Sequence, residues 1–238
     1  MCHQIAHTPK EILKDNQRLK NMEAVIFDYD GTLVHLNIDF GLMRQDVEAV
    51  LWEQGIAPED LKGLYILELI DEAAARISRE SPLQGSDFYT KSHEIVTRHE
   101  LAATKEGKIL PGVVQMLELL QKRGVKVGVI TRNCDKAVKV VFPHIERLCD
   151  VYIPRDHTSR VKPHPDHLGQ ALERLGVKDT VRCLMVGDHV LDVEGGKRME
   201  MKTAGVLTGK TTRQQFLEAG ADFILEDATK VLDHIFGE

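Results

Sequence analysis

The sequence predicts an α/β protein: a parallel sheet with helices on both faces, into which an all-helical segment is inserted. Three observations carry this. From Ile109 to the C-terminus, short apolar runs alternate with amphipathic stretches. Between Phe40 and Lys108 the apolar residues recur at spacings of three and four, with no clear buried strand. The run Val25-Ile26-Phe27, ahead of that segment, has the character of a further buried strand. Continuous apolar strands separated by amphipathic helices are the signature of a parallel sheet buried on both sides.

Taken in order, residues 1–21 are polar with a weakly helical centre near Glu11–Leu19, and are expected to form a loosely attached arm. Met22 immediately precedes the first strand and is a candidate alternative start. The core is expected over 22–36 and 109–238, and the helical insert over 37–108. Within the insert, Val47, Val50 and Leu51, then Leu61, Leu64, Leu67, Ile70, Ala74 and Ile77, line apolar helix faces. Pro58-Glu59 reads as a helix start, Ser81-Pro82 as a break, and a third helix is expected over about 87–105. Beyond it, a helix opens at Pro111-Gly112 and closes at Gly124. A buried strand over 126–131 is followed by a helix to about Glu146, and a strand over 150–153 by a helix from Pro163 to Leu175, ended by Gly176. The strand 182–188 precedes a helix to Met199, and short strands follow at 203–207 and 223–225.

Composition narrows the function. At 238 residues the chain has ample material for a core without disulfide or metal staples. Its formal charge of −6 argues against a broad nucleic-acid or anionic-membrane surface, while leaving room for an anionic small molecule at a local cation. The four cysteines show no zinc-like spacing and are expected to be reduced thiols; Cys134, close to a polar strand end, is a candidate pocket neighbour. There is no run of eighteen apolar residues and no signal-peptide pattern, so the expected location is the cytoplasm.

The chemistry is concentrated at strand ends, where open parallel sheets bind ligands. The first strand ends in Asp28-Tyr29-Asp30-Gly31-Thr32, the second in Thr131, and a later one in Gly187-Asp188. Any one of these alone reads as a helix N-cap. Together, with Asp30 two residues past Asp28 and Asp192 one helical turn past Asp188, they describe a phosphoryl-transfer site. Asp28 would supply an oxygen nucleophile passing through an aspartyl-phosphate, and Asp30 a proton for the leaving alcohol. Asp188 and Asp192 would complete an oxygen-only site for a hard cation, and Thr131 would donate to a phosphate oxygen. Lys162, held before Pro163, would bring an ammonium to the same phosphate.

In this order, these residues resemble the four motifs of the haloacid dehalogenase (HAD) superfamily, and the helical insert resembles its C1 cap. The resemblance runs from Met22 onward and is nearest to phosphoglycolate phosphatases and β-phosphoglucomutase-like phosphatases. It implies a Rossmann-like core with a mobile cap, with Asp28 as nucleophile, Asp30 as acid/base, and Thr131 and Lys162 as phosphate holders. It also implies magnesium held by the Asp28 side chain, the Asp30 main-chain carbonyl and Asp188, with Asp192 in direct or indirect support. An aspartate at position 30 favours phosphatase or phosphomutase chemistry over dehalogenation. Arg132 and His189 depart from the common pattern and are candidates for tuning substrate choice, Arg132 by binding it.

The expected activity is therefore hydrolysis of a small phosphorylated metabolite, with no nucleic-acid or membrane partner; oligomeric state is left open. A phosphomutase is the alternative within enzymes. A non-enzymatic interaction protein or signalling receiver module is the alternative outside them, although a receiver would not usually pair the first-strand Asp with a second two residues on. Of the histidines, His35 is a candidate pocket residue, while His164 and His167 are expected at the surface or as caps. Arg44, Lys62, Arg76, Arg79, Lys91 and Arg98 are the insert's candidate anion contacts, and Trp52 and Tyr65 are expected to pack.

Overall fold

The computed structural model describes residues 19 and 21–237. The arm expected over 1–21 therefore lies, apart from Leu19 and Asn21, outside the described residues. In chain order the elements are β1 (Ala24–Phe27), β2 (Val34–His35), α1 (Phe40–Glu53), α2 (Ile66–Glu80), α3 (Pro82–Ala103), β3 (Lys108–Ile109), α4 (Val113–Lys122), β4 (Lys126–Ile130), α5 (Asp135–Val141), β5 (Val151–Ile153), α6 (Pro165–Arg174), β6 (Cys183–Gly187), α7 (Val190–Arg198), β7 (Lys202–Val206), α8 (Arg213–Ala219), β8 (Phe223–Leu225) and α9 (Val231–Phe236). They form two compact units.

The α/β unit takes the described residues up to Leu33, then Leu110–Arg132, and the chain from His144 onward. Its sheet has the order β5-β4-β1-β6-β7-β8, and every pairing is parallel. This is the Rossmann-like α/β architecture. On one face Ala24 and Ile26 pack with Leu168, Ala171, Leu172 and Leu175 of the α6 segment. Val25 and Phe27 point the other way and are also fully buried, so both faces are covered. Each buried Val, Ile, Leu or Phe side chain contributes roughly 1.5–3 kcal/mol of transfer free energy, which is why the apolar runs were legible as buried strands.

The register decides where the chemistry falls. Phe27 lies level with Val129 of β4 and Val186 of β6, so the carboxyl ends of these three neighbours coincide. The chain leaves β1, builds β4 and β5 on one side, then returns to place β6 on the other. The end of β1 is thus a topological switch point, where open α/β sheets leave a crevice for a ligand.

The helical unit consists of Val34–Ile109 with Asn133–Pro143. The apolar face read over 67–77 is built as expected, α2 burying Leu67, Leu69, Ile70, Ala73, Ala74 and Ile77, but the helix begins only at Ile66: Pro58–Leu61, read as its start, forms a separate short 3₁₀ turn. The third helix starts earlier than expected, at Pro82, because Ser81 caps it by accepting from the Gln84 N–H. The short antiparallel pair β2–β3 escaped the sequence reading, since two residues are too few for a pattern. Residues 133–143, assigned from sequence to the core, belong to this unit. Here α5 ends at Val141, before the expected Glu146, because Pro143 cannot continue a helix. Its N-terminal cap residue, Cys134, is buried and has no capping side chain; the buried Glu100 carboxylate of α3 accepts from the Cys134 N–H instead, at 3.1 Å.

One expectation within the insert, the packing of Trp52 and Tyr65, is corrected. Trp52 is 57% exposed and Tyr65 is exposed as well, so neither is a packing residue. His35 is exposed on β2, paired with Lys108. Arg44 is engaged by Glu48 and the Leu64 carbonyl, Arg76 by Glu72, and Arg98 by Asp46. No helix among the described residues is long and apolar enough to cross a membrane.

Candidate active site

Asp28 follows β1 directly, and its N–H donates to the Val186 carbonyl, which fixes it against the end of β6. The chain then turns at Gly31, whose φ of +81° suits glycine. That turn returns Thr32 to Asp28, whose Oδ2 accepts from the Thr32 hydroxyl at 3.4 Å. Asp30 stands half-buried in the same turn. Thr131, fully buried, continues from β4 with its N–H on the Ile153 carbonyl.

Asp188 leaves β6, and its carboxylate occupies a space kept open by two glycines. A Cβ on Gly31 or on Gly209 would overlap it. Gly209 belongs to the loop after β7, where the Thr208 hydroxyl donates to the Gly31 carbonyl. Gly209 was not singled out from sequence; a glycine in a polar loop gives no sign of what it must accommodate. Asp192 sits in the first turn of α7, where Oδ2 accepts from the His189 N–H at 3.1 Å in a reciprocal capping arrangement. His189 is thereby a helix cap, its Nδ1 accepting from the Leu191 N–H.

Lys162 brings these acids together. Its ammonium, almost fully buried, donates to Asp28 Oδ1 and, at 2.5 Å, to Asp192 Oδ1. Burial disfavours the charge, but the Asp192 and Asp28 carboxylates outweigh it and hold the ammonium pKa above its ordinary value. Asp188 is pushed up to about 9, first by burial and then by Asp28 and Asp192, against the pull of Lys162. One carboxylate oxygen each from Asp28, Asp188 and Asp192 lie within 4.8 Å of one another. The donors are all oxygen and mutually repulsive, which fits a hard divalent cation such as magnesium. The Asp30 carboxylate does not belong to this group.

Arg132 donates from Nη1 to the Lys162 carbonyl at 2.6 Å. Among the predicted residues, His167 sits differently from expectation. His167, expected at the surface or as a cap, is wholly buried; the cap of α6 is His164, which accepts from the Asp166 N–H. The signal was available, because His167 falls in the stripe of Leu168, Ala171 and Leu172 that α6 turns inward.

Comparison with known proteins agrees with this geometry. The family described as haloacid dehalogenase-like hydrolase matches residues 25–206. The chain is 28% identical over 223 residues to the N-acetylmuramic acid 6-phosphate phosphatase of Pseudomonas aeruginosa, covering 89% of this chain and 94% of that one. It is 35% identical over 218 residues to the pyrophosphatase PpaX of Bacillus cereus, covering 89% and 95%. Among solved structures, the β-phosphoglucomutase of Clostridium difficile superposes with a TM-score of 0.58 at 18% identity, covering 88% and 92%, a likeness of fold.

Proposed function

The chain belongs to the haloacid dehalogenase-like hydrolases, and from that premise we propose that it is a magnesium-dependent phosphatase of a small phosphomonoester, acting through an aspartyl-phosphate on Asp28. One observation supports this above the others: Asp28, Asp188, Asp192 and Lys162, remote in sequence, converge at the switch point of the sheet. Magnesium would be held by the carboxylates of Asp28 and Asp188 and the main-chain carbonyl of Asp30, with Asp192 in support. When bound it would neutralise phosphoryl charge and relieve the repulsion among the acids.

The chain's own residues then divide the work. The Asp28 carboxylate attacks phosphorus in line with the departing alcohol oxygen. Asp30, as the acid, gives its proton to that oxygen; as a carboxylate, it then takes one from the water that hydrolyses the acyl phosphate. The Thr131 hydroxyl and the Lys162 ammonium hold the phosphoryl oxygens, and Arg132 adds positive charge beside Lys162. The helical unit is read as the cap that selects the substrate and excludes water.

The named relatives act on a sugar phosphate and on pyrophosphate, so both substrate classes belong in the test. Magnesium-dependent phosphate release is measured across a panel of phosphorylated metabolites, with Asp28→Asn as the blank. Release that is lost without magnesium and absent in the variant supports the reading; release unchanged in Asp28→Asn removes it. Conversion of a sugar phosphate to its isomer without phosphate release would instead make the chain a mutase.

A further inference from the structure

We propose that His167 is the positioning residue that sets Lys162 relative to Thr131 for phosphate binding. The inference rests on the reading of Lys162 and Thr131 as phosphate holders, and it assigns a task to a buried group that the mechanism does not otherwise use.

His167 Nδ1 lies 3.1 Å from the Lys162 main-chain N–H and accepts from it. Nε2, on the opposite side of the ring, lies 3.0 Å from the Ile153 carbonyl, which can only accept. These two contacts fix the tautomer: the proton is on Nε2, and Nδ1 carries a lone pair. Burial, with Lys162 and Arg132 adding to it, depresses the imidazole pKa to about 3 against the opposing Ile153 bond, so the ring is neutral at any working pH.

The Ile153 carbonyl accepts a second bond, from the Thr131 N–H at 3.2 Å. One carbonyl at the end of β5 therefore anchors Thr131 directly and Lys162 through His167. The other side of the Lys162 residue is held as well, its carbonyl accepting from Arg132 Nη1 at 2.6 Å, while Arg155, also buried, donates to the Arg132 carbonyl at 3.3 Å. Both main-chain polar groups of Lys162 are thus taken by side chains rather than by a helix or sheet ladder. A lysine in a loop loses much rotamer entropy when its ammonium is fixed between carboxylates; a main chain held at both ends limits what must be ordered on binding.

The test uses isosteres. Asn places an acceptor oxygen where Nδ1 stands but lacks the donor toward Ile153; Gln places a donor where Nε2 stands but offers no acceptor to Lys162. His167→Asn and His167→Gln are made in the natural chain and in Lys162→Met. Three quantities are measured on each: magnesium-dependent kcat/KM with p-nitrophenyl phosphate, the Kd for inorganic phosphate by calorimetry with magnesium present, and Tm. The expected result is a kcat/KM and phosphate affinity lower by roughly tenfold to a hundredfold in His167→Gln. His167→Asn should stay within about threefold of the natural chain. In the Lys162→Met background the two should become equal, because His167 acts through Lys162. Equal effects of Asn and Gln in the natural chain, or a difference that persists undiminished in Lys162→Met, would overturn the inference. Lys162→Met behaving like the natural chain in both kcat/KM and phosphate affinity would overturn the proposed function itself. Should a His167 variant fail to fold, nitrogen-15 NMR of the natural chain decides: the inference expects an unprotonated Nδ1 and a protonated Nε2 for this ring, and the opposite tautomer rejects it.

Discussion

Lys162 and Asp192 form a buried ion pair, 2.5 Å between Nζ and Oδ1, with both side chains at most 4% exposed. Removing one partner of such a pair strands the other charge, typically at about 3–5 kcal/mol. Here the loss is compounded, since Asp28 depends on the same ammonium. Lys162→Met is therefore expected to lower the unfolding free energy by about that amount in metal-free buffer, measured by urea titration. A midpoint equal to that of the natural chain would show that the pair contributes nothing.

The two aspartates of the first motif should separate cleanly. Asp28→Asn removes the nucleophile and should abolish phosphate release while leaving the far-ultraviolet circular dichroism unchanged. Asp30→Asn removes only the proton donor, an effect of about a hundred- to ten-thousandfold on rate. Its main-chain carbonyl survives the substitution, and its carboxylate does not belong to the acidic cluster, so magnesium affinity by calorimetry should be nearly unaffected. Joint loss of metal binding and rate in Asp30→Asn would assign its side chain to the cation.

Gly209 faces the Asp188 carboxylate so closely that a Cβ would overlap it. Replacing a loop glycine by alanine is often neutral or mildly stabilising where space allows. At this position the added methyl must displace Asp188 instead. Gly209→Ala is expected to weaken magnesium binding by roughly ten- to a hundredfold, the range for perturbing groups that orient metal ligands. The global fold should persist, since the displaced group is a carboxylate at a loop and not a core side chain. Undiminished magnesium affinity in a folded Gly209→Ala chain would show that Asp188 does not need this space.

Much of the site was legible because its residues stand at strand ends, where the β-α alternation alone says which acids must meet. Asp28, Thr131 and Asp188 were read that way, and the parallel register brings their strand ends level. Lys162 was legible from its place before Pro163 and between the later strands. What escaped the sequence was whatever depends on space and not on chemistry. Gly209 matters for the volume it leaves empty, and His167 for an orientation that only the inward face of α6 imposes. The stretch 133–143 followed the β-α rhythm of the core and was read with it. Its packing partner α3 lies some forty residues earlier in the chain, which periodicity does not report.

The buried state of His167 carries a pH signature. In the folded chain its pKa is depressed to about 3, whereas an unfolded chain protonates it near the ordinary histidine value of about 6.5. Between these values the unfolded state binds the extra proton, so stability rises with pH across the window. Equivalently, the contribution is complete above about pH 6.5 and is lost as pH falls toward 3, at a slope approaching 1.4 kcal/mol per pH unit. Acidic groups titrate in part of the same range, so the informative quantity is the difference between chains. His167→Asn, which has no ionisable ring, should show a shallower decline in unfolding free energy from pH 6.5 to 4.5 than the natural chain, by about 1–3 kcal/mol over that span in urea titrations. Parallel pH profiles for the two chains would mean that the imidazole takes up its proton in the folded state, and that the Lys162 N–H does not rest on a neutral ring.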